Sequence, residues 1–299
     1  MKLSYQLLVW LLFSTPYLSA QIPSSTFSYQ LPKLEVHQLR TEEKSGLRIH
    51  DLRFNGVANN EIPAYLVEPR EGCGTKAQSC AGVLFVHWYE PKAANANRSE
   101  FLPEAYELAR HGAVSLLVDT MWAEPGWFEK RNPDDDYNNS ITQVKNLRRA
   151  LDVLMRHAGV DRTRIGYVGH DFGMMFGAIL AGIDHRVRPL ALMAGTGCLS
   201  DWYVLGRQLT QQQREQIKVK MNPLCPALYL PRATGPVLLQ FGETDPYVPI
   251  KSAQALASAA PQPKRVRFYE AGHELNGQAR VERLEWLQLR LRLRPRRER

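Results

Sequence analysis

The sequence predicts an α/β fold, a mostly parallel sheet with helices on both faces and a small insertion over one end of it. Two observations point there. Short continuous apolar runs, among them GVLFVHW (82–88), AVSLLVD (113–119) and RPLALMAG (188–195), have the length and composition of strands buried on both faces. Between such runs lie segments with apolar residues at helical spacing, and regular alternation of the two kinds is how parallel βαβ units read along a chain.

The elements follow in order. LRIHDLRFNG (47–56) and PAYLVEP (63–69) alternate as two early strands, a hairpin. After the strand at 82–88, residues 99–112 place Phe101, Ala105, Leu108 and Ala109 on one helical face and stop at Gly112. The strand at 113–119 leads into a loop rich in Trp and Pro that runs to Tyr137. The segment 141–159 carries Val144, Leu147, Leu151 and Leu154 at helical spacing and closes on Gly159. RIGYVG (164–169) is a strand, FGMMFGAILAG a helix, and 188–195 a further strand. PVLLQFG (236–242) and RVRFYE (265–270) are strands around the helical KSAQALASAA, and a last helix spans about 278–293. Residues 196–235 show no strand pattern, and an insertion there would overhang the carboxyl ends of the strands.

The 299 residues suffice for one α/β domain with a large core. Residues 1–20 stand apart. Lys2, an apolar stretch from Leu7 to Phe13, a break at Pro16 and the small pair Ser19-Ala20 read as a secretory signal peptide cut near Ala20, before Gln21. That stretch is shorter than the roughly 20 residues a bilayer crossing needs, so no stable membrane insertion is expected after cleavage. The expected division is a leader (1–20), a polar arm (21–45) and one domain (46–299) with a cap at about 196–235. Export favours disulfides, and the four cysteines are expected to pair as Cys73 with Cys80 and Cys198 with Cys225, although three connectivities exist. No Cys/His grouping has metal-ligand spacing, so neither a metal nor another cofactor is implied.

The formal charge is +8, or +7 without Lys2, and much of the excess lies in RLRLRPRRER at the end of the chain. A nucleic-acid partner would call for a basic face interleaved with aromatics or a recognised module, and the sequence has neither. A small-molecule substrate is the expected partner.

The chemistry gathers around YVGHDFGMMFG (167–177). Gly169 and Gly173 flank a tight strand-to-helix turn with Asp171 at its centre, the layout of a nucleophile elbow with aspartate where serine is usual. Two more polar residues follow predicted strands: Asp245 in FGETDPYVP and His273 in YEAGHELN. The chain order nucleophile, acid, histidine matches the triad order of the α/β-hydrolase fold. Over about residues 45–293 the chain resembles α/β-hydrolases of the dienelactone-hydrolase-like branch. Its elbow, GHDFG, resembles that of epoxide hydrolases and of aspartate-nucleophile dehalogenases. The resemblance implies that Asp171 attacks an electrophilic carbon and that His273, oriented by Asp245, activates water. It also implies an oxyanion hole from the backbone N–H of Phe172 and one from the loop opened by His87 and Trp88. In the resembling families that loop begins His-Gly; here Trp88 takes the glycine position.

A carboxylate displaces well at saturated carbon, whereas attack on a carboxylic ester would give an anhydride, so aspartate argues away from ordinary esterase chemistry. Each residue also has a plainer role: Asp171 as a helix N-cap, Asp245 as a turn residue, His273 as a loop histidine. Asp201 is a rival acid, and His170 is expected to pack behind the elbow. His87, Trp88, Tyr89, Trp122, Trp127, Trp202 and Tyr203 fall in loops after strands or in the cap, where they would wall an apolar or aromatic substrate or pack cap on body. Opening an epoxide needs acidic donors, for which Tyr203 and Tyr229 are the cap tyrosines; a departing halide would need N–H donors, and Trp88 offers one. The expected activity is hydrolysis of a small apolar or aromatic electrophile, an epoxide ahead of a haloalkane. The alternatives are lactone or ester hydrolysis with His273 as direct base, and a hydrolase fold that only binds.

Overall fold

The computed structural model describes residues 22–30, 33–58, 60–73 and 80–294. The expected signal peptide and the last residues of the basic tail lie outside them. Nine strands form one sheet: β1 (Val36–Lys44), β2 (Leu47–Asn55), β3 (Glu61–Pro69), β4 (Cys80–Val86), β5 (Ala113–Val118), β6 (Val160–His170), β7 (Leu190–Met193), β8 (Val237–Gly242) and β9 (Lys264–Tyr269). Their order is β1-β2-β3-β5-β4-β6-β7-β8-β9. The pairs β1–β2, β2–β3 and β3–β5 are antiparallel, and every pair from β5–β4 onward is parallel.

The helices are α1 (Leu102–Arg110), α2 (Trp127–Lys130), α3 (Asp136–Arg156), α4 (Phe172–Ile183), α5 (Leu199–Tyr203), α6 (Gln211–Met221), α7 (Pro226–Tyr229), α8 (Ile250–Ala259) and α9 (Gly277–Arg290). The apolar stripes of α3, α4 and α8, with Leu147, Leu151, Phe176, Ile179 and Leu256, build the core on one face of the sheet. Those of α1 and α9, with Ala105, Leu108, Trp286 and Leu287, build the core on the other. The central strands β4 and β5 are buried along their whole length, which is why they read as unbroken apolar runs.

The expected arm contains a strand. Residues 36–44 pair with β2 at the edge of the sheet, and all nine are exposed. With neither face buried, the strand has no apolar alternation to betray it, and its charges suit an edge. Residues 196–235 hold α5, α6 and α7 and no strand among the described residues. Disulfides join Cys73 to Cys80 ahead of β4 and Cys198 to Cys225, the latter tying the start of α5 to the start of α7. No described helix is long and apolar enough to cross a membrane.

The register brings the site together. Val86 lies level with Gly169, His170 with Met193, and Gly242 with Tyr269, so the loops after β4, β6, β8 and β9 leave one edge of the sheet side by side. Between β6 and α4 the approach is so close that a Cβ at Gly173 would land on the carbonyl oxygen of Val86, and one at Gly169 on that of Gly173. Gly173→Ala is therefore expected to destabilise the fold by about 3 kcal/mol or more. Gly277→Ala, which meets open space, should stay within about 0.5 kcal/mol. Denaturant melts of both variants check this.

Candidate active site

Asp171 sits between the last residue of β6 and the first of α4, at φ 56° and ψ −117°. Few residues with a side chain adopt such a conformation, which costs on the order of 1–3 kcal/mol and persists where surrounding bonds over-determine it. Here Asp171 N–H donates to the Met193 carbonyl at 2.9 Å, and the Asp171 carbonyl accepts from Met175 N–H at 3.0 Å. The side chain does not cap α4. Its Oδ2 instead accepts the Tyr89 backbone N–H at 2.9 Å, while Oδ1 is buried with no hydrogen-bond partner.

His273, in the loop after β9, presents Nδ1 to Asp245 Oδ2 at 2.8 Å and keeps Nε2 buried and unpartnered. Asp245 is fixed by its own turn: Oδ1 accepts the N–H of Tyr247 at 2.8 Å and that of Val248 at 3.1 Å. The turn role and the partnership with His273 are thus held by different oxygens of one carboxylate. Asp201 is exposed on α5, and His273 Nδ1 is engaged by Asp245 rather than by it.

Burial raises the Asp171 carboxyl to about 7. The charge of His273 and the N–H groups of Tyr89 and Phe172 oppose that rise, while the charge of Glu100 adds to it. The aspartate thus occupies a buried site in which backbone N–H groups and the nearby histidine favour its ionised form.

The loop after β4 differs from the expectation in one residue. Trp88 N–H donates to Glu100 Oε2 at 2.7 Å, so the loop donor at the Asp171 carboxylate is the Tyr89 N–H. The indole of Trp88 lies over His170 with ring centres 5.0 Å apart and planes 14° apart. His87 braces the loop from below. Its Nδ1 faces the Trp88 carbonyl at 2.7 Å, and its Nε2 faces Thr120 Oγ1 at 2.9 Å. Burial lowers its imidazole to about 4, so it is neutral, with Nδ1 donating and Nε2 accepting from Thr120.

The expected pocket residues divide into two groups. Tyr89, Trp127 and Tyr203 pack around Phe172, with Trp202 between Phe172 and His273. Trp122 is fully buried under Phe172 and Phe176 and donates to the His87 carbonyl, so with His87 it supports the site from beneath. The two cap tyrosines do not converge. The Tyr203 hydroxyl meets Ser140 Oγ at 2.9 Å, while that of Tyr229 donates to the Pro223 carbonyl and its ring packs edge-on against Phe27. Among the described residues, three buried donors near Asp171 and His273 lack acceptors: Nε1 of Trp88, Nε1 of Trp202 and the hydroxyl of Tyr89.

Sequence reasoning missed Phe128, Tyr247 and Glu100. Phe128 stacks on Tyr89, and Tyr247 meets His273 edge-on at 5.1 Å. Tyr247 had a signal, two residues beyond Asp245 in the same loop; Glu100 belongs to no motif.

No protein-family model and no curated protein sequence matches the chain. Solved structures do. An acetyl xylan esterase from Paenibacillus sp. R4 superposes with a TM-score of 0.73 at 18% identity, covering 89% of this chain and 92% of that one. Acetyl xylan esterase 1 from Thermoanaerobacterium sp. JW/SL YS485 gives 0.66 at 18%, covering 87% and 89%. A 2,6-dihydroxy-pseudo-oxynicotine hydrolase gives 0.60 at 19%, covering 87% and 68%. The chain has the α/β-hydrolase fold. Asp171 stands at the turn between β6 and α4 of that fold.

The raised carboxyl has a consequence for stability. The folded chain binds the Asp171 proton more tightly than the unfolded chain, so this contribution is fully present below about pH 4 and is lost as pH rises through about 7. Asp171→Asn, uncharged throughout, should gain stability relative to wild type between pH 4 and pH 8, by on the order of 3 kcal/mol. Urea melts across that range read the difference; a gain independent of pH would contradict it.

Proposed function

We propose that this protein is a hydrolase that opens an electrophilic saturated carbon, an epoxide on an apolar or aromatic molecule, through a covalent ester on Asp171. The observation that carries the reading is the division of labour at one carboxylate. Oδ2 rests on the Tyr89 N–H, while Oδ1 and the His273 Nε2 are both buried and both unpartnered. An esterase working through a hydroxyl nucleophile needs its oxyanion donors free for the substrate's oxygen. Here the loop donor holds the enzyme's own carboxylate, which leaves Oδ1 as the attacking atom.

In the first step the Oδ1 lone pair forms a bond to the epoxide carbon, and the ring C–O bond breaks. The leaving oxygen takes a proton from the Tyr89 phenol, whose pKa burial raises, so that it is protonated at neutral pH. In the second step His273 Nε2 removes a proton from water, and the water oxygen attacks Cγ of Asp171. The negative charge that develops on Oδ2 lies against the N–H group of Tyr89. Collapse expels the product alkoxide, which takes the proton from His273. The proton of the new carboxylic acid restores the phenol. The sum is epoxide plus water to diol.

One observation favours a second reading. A carboxyl near pKa 7 is protonated in half of the molecules at neutral pH, and a protonated Asp171 is no nucleophile. His273 would then act directly as base on water attacking a lactone or ester, the chemistry named by several of the structural neighbours. His273→Gln separates the two. Incubated with a panel of epoxides, haloalkanes and lactones, the variant should accumulate an adduct on Asp171 equal in mass to an added epoxide, visible by intact-protein mass spectrometry and mapped by peptide. No adduct, with wild type consuming lactones, would install the second reading. No adduct and no turnover by wild type would reject both.

A further inference from the structure

His170 precedes Asp171 in the chain and takes no part in the steps above, yet both of its ring nitrogens are engaged. Its Nδ1 lies 2.7 Å from Glu100 Oε1 and its Nε2 lies 2.9 Å from the backbone carbonyl of His273. The other oxygen of Glu100 accepts the Trp88 N–H at 2.7 Å. The side chains of His170 and Glu100 are 4% and 11% exposed, and Trp88 covers the face of the imidazole.

Proton counting decides the state of this ring. A carbonyl oxygen only accepts, so Nε2 must carry a hydrogen. A neutral imidazole would then turn the bare lone pair of Nδ1 toward the Glu100 carboxylate, a repulsive contact in a dry site. Both short contacts become hydrogen bonds when the pair holds one further proton. Two features place that proton on the ring. The Trp88 N–H, donating to Oε2, favours a carboxylate at Glu100, and the stacked indole favours a cation beneath it. The titratable or charged groups around His170 are Glu100 ahead of α1, His273 after β9, and Asp171 beside it in the chain.

We propose that His170 is a positioning residue, an imidazolium clamped between Glu100 and the His273 carbonyl that sets the water-activating histidine against the elbow. The clamp joins three loops at their backbones: the one carrying His273, the elbow, and through Glu100 the one whose Tyr89 N–H holds Asp171. The proposal rests on the reading of Asp171 and His273 as the working pair, but the protonation state is measurable without any substrate.

The test uses the full chain labelled with nitrogen-15 in its histidines, with His170 assigned by its loss in His170→Asn. At pH 8 wild-type His170 should show hydrogens on both ring nitrogens, and in Glu100→Gln it should show one. A singly protonated His170 in wild type at pH 8 would overturn the proposal. The low-field proton on His273 Nδ1, bonded to Asp245, should shift or broaden in folded His170→Asn; an unchanged resonance would overturn the positioning role. In rapid-quench turnover of an epoxide, His170→Asn should slow hydrolysis of the Asp171 ester about 10- to 100-fold while alkylation stays within about threefold, so kcat and KM fall together. Equal slowing of both steps would count against it. If wild type never alkylates, the proposed function fails, and the two resonance measurements still decide the state and role of His170.

Discussion

The site depends on one close approach of backbones. Where β6 turns into α4, the chain packs so tightly that only hydrogen fits at residue 173, against the end of β4, and at residue 169, against Gly173. This forces Asp171 into its uncommon φ and ψ, and the sheet holds it there through Met193. The Asp171 side chain on this turn is completely buried. The same crowding brings the loop after β4 against the carboxylate, so the Tyr89 N–H reaches Oδ2. Widening the turn would release the strain and the hydrogen bond together.

Around that turn the structure manages charge without water. A buried carboxylate is costly, and the protein opposes the cost with backbone N–H groups and His273 rather than with an arginine or lysine. The aromatic shell of Tyr89, Trp127, Phe172, Trp202 and Tyr203 excludes water and offers apolar walls, which suits an uncharged substrate. Among the described residues, the unpartnered polar groups of this shell, the Tyr89 hydroxyl and Trp202 Nε1, are both donors.

Much of the architecture was legible because burial leaves a pattern. Strands β4 to β8 are covered on both faces and read as apolar runs; β1 is covered on neither and did not read at all. The places of Asp171, Asp245 and His273 followed from glycines, turn residues and strand ends, all local signals. What failed to read was tertiary. The shift of the loop donor from Trp88 to Tyr89 depends on Glu100, which reaches Trp88 across twelve residues without a motif. The hydroxyls of Tyr203 and Tyr229 are used up by Ser140 and Pro223, contacts no spacing could reveal. His170 read as packing, and the oxygens that face both of its nitrogens are tertiary contacts that no local signal announces.

The central claim is that Asp171 itself forms the bond to substrate. The most direct measurement is a single turnover in oxygen-18 water, with wild-type enzyme in excess over an epoxide that it consumes. The account predicts that the first diol carries ordinary oxygen taken from Asp171, and that the heavy isotope appears in the peptide containing Asp171. Heavy oxygen in the diol of the first turnover, with an unlabelled Asp171, would mean that water attacks the substrate directly and would contradict the account.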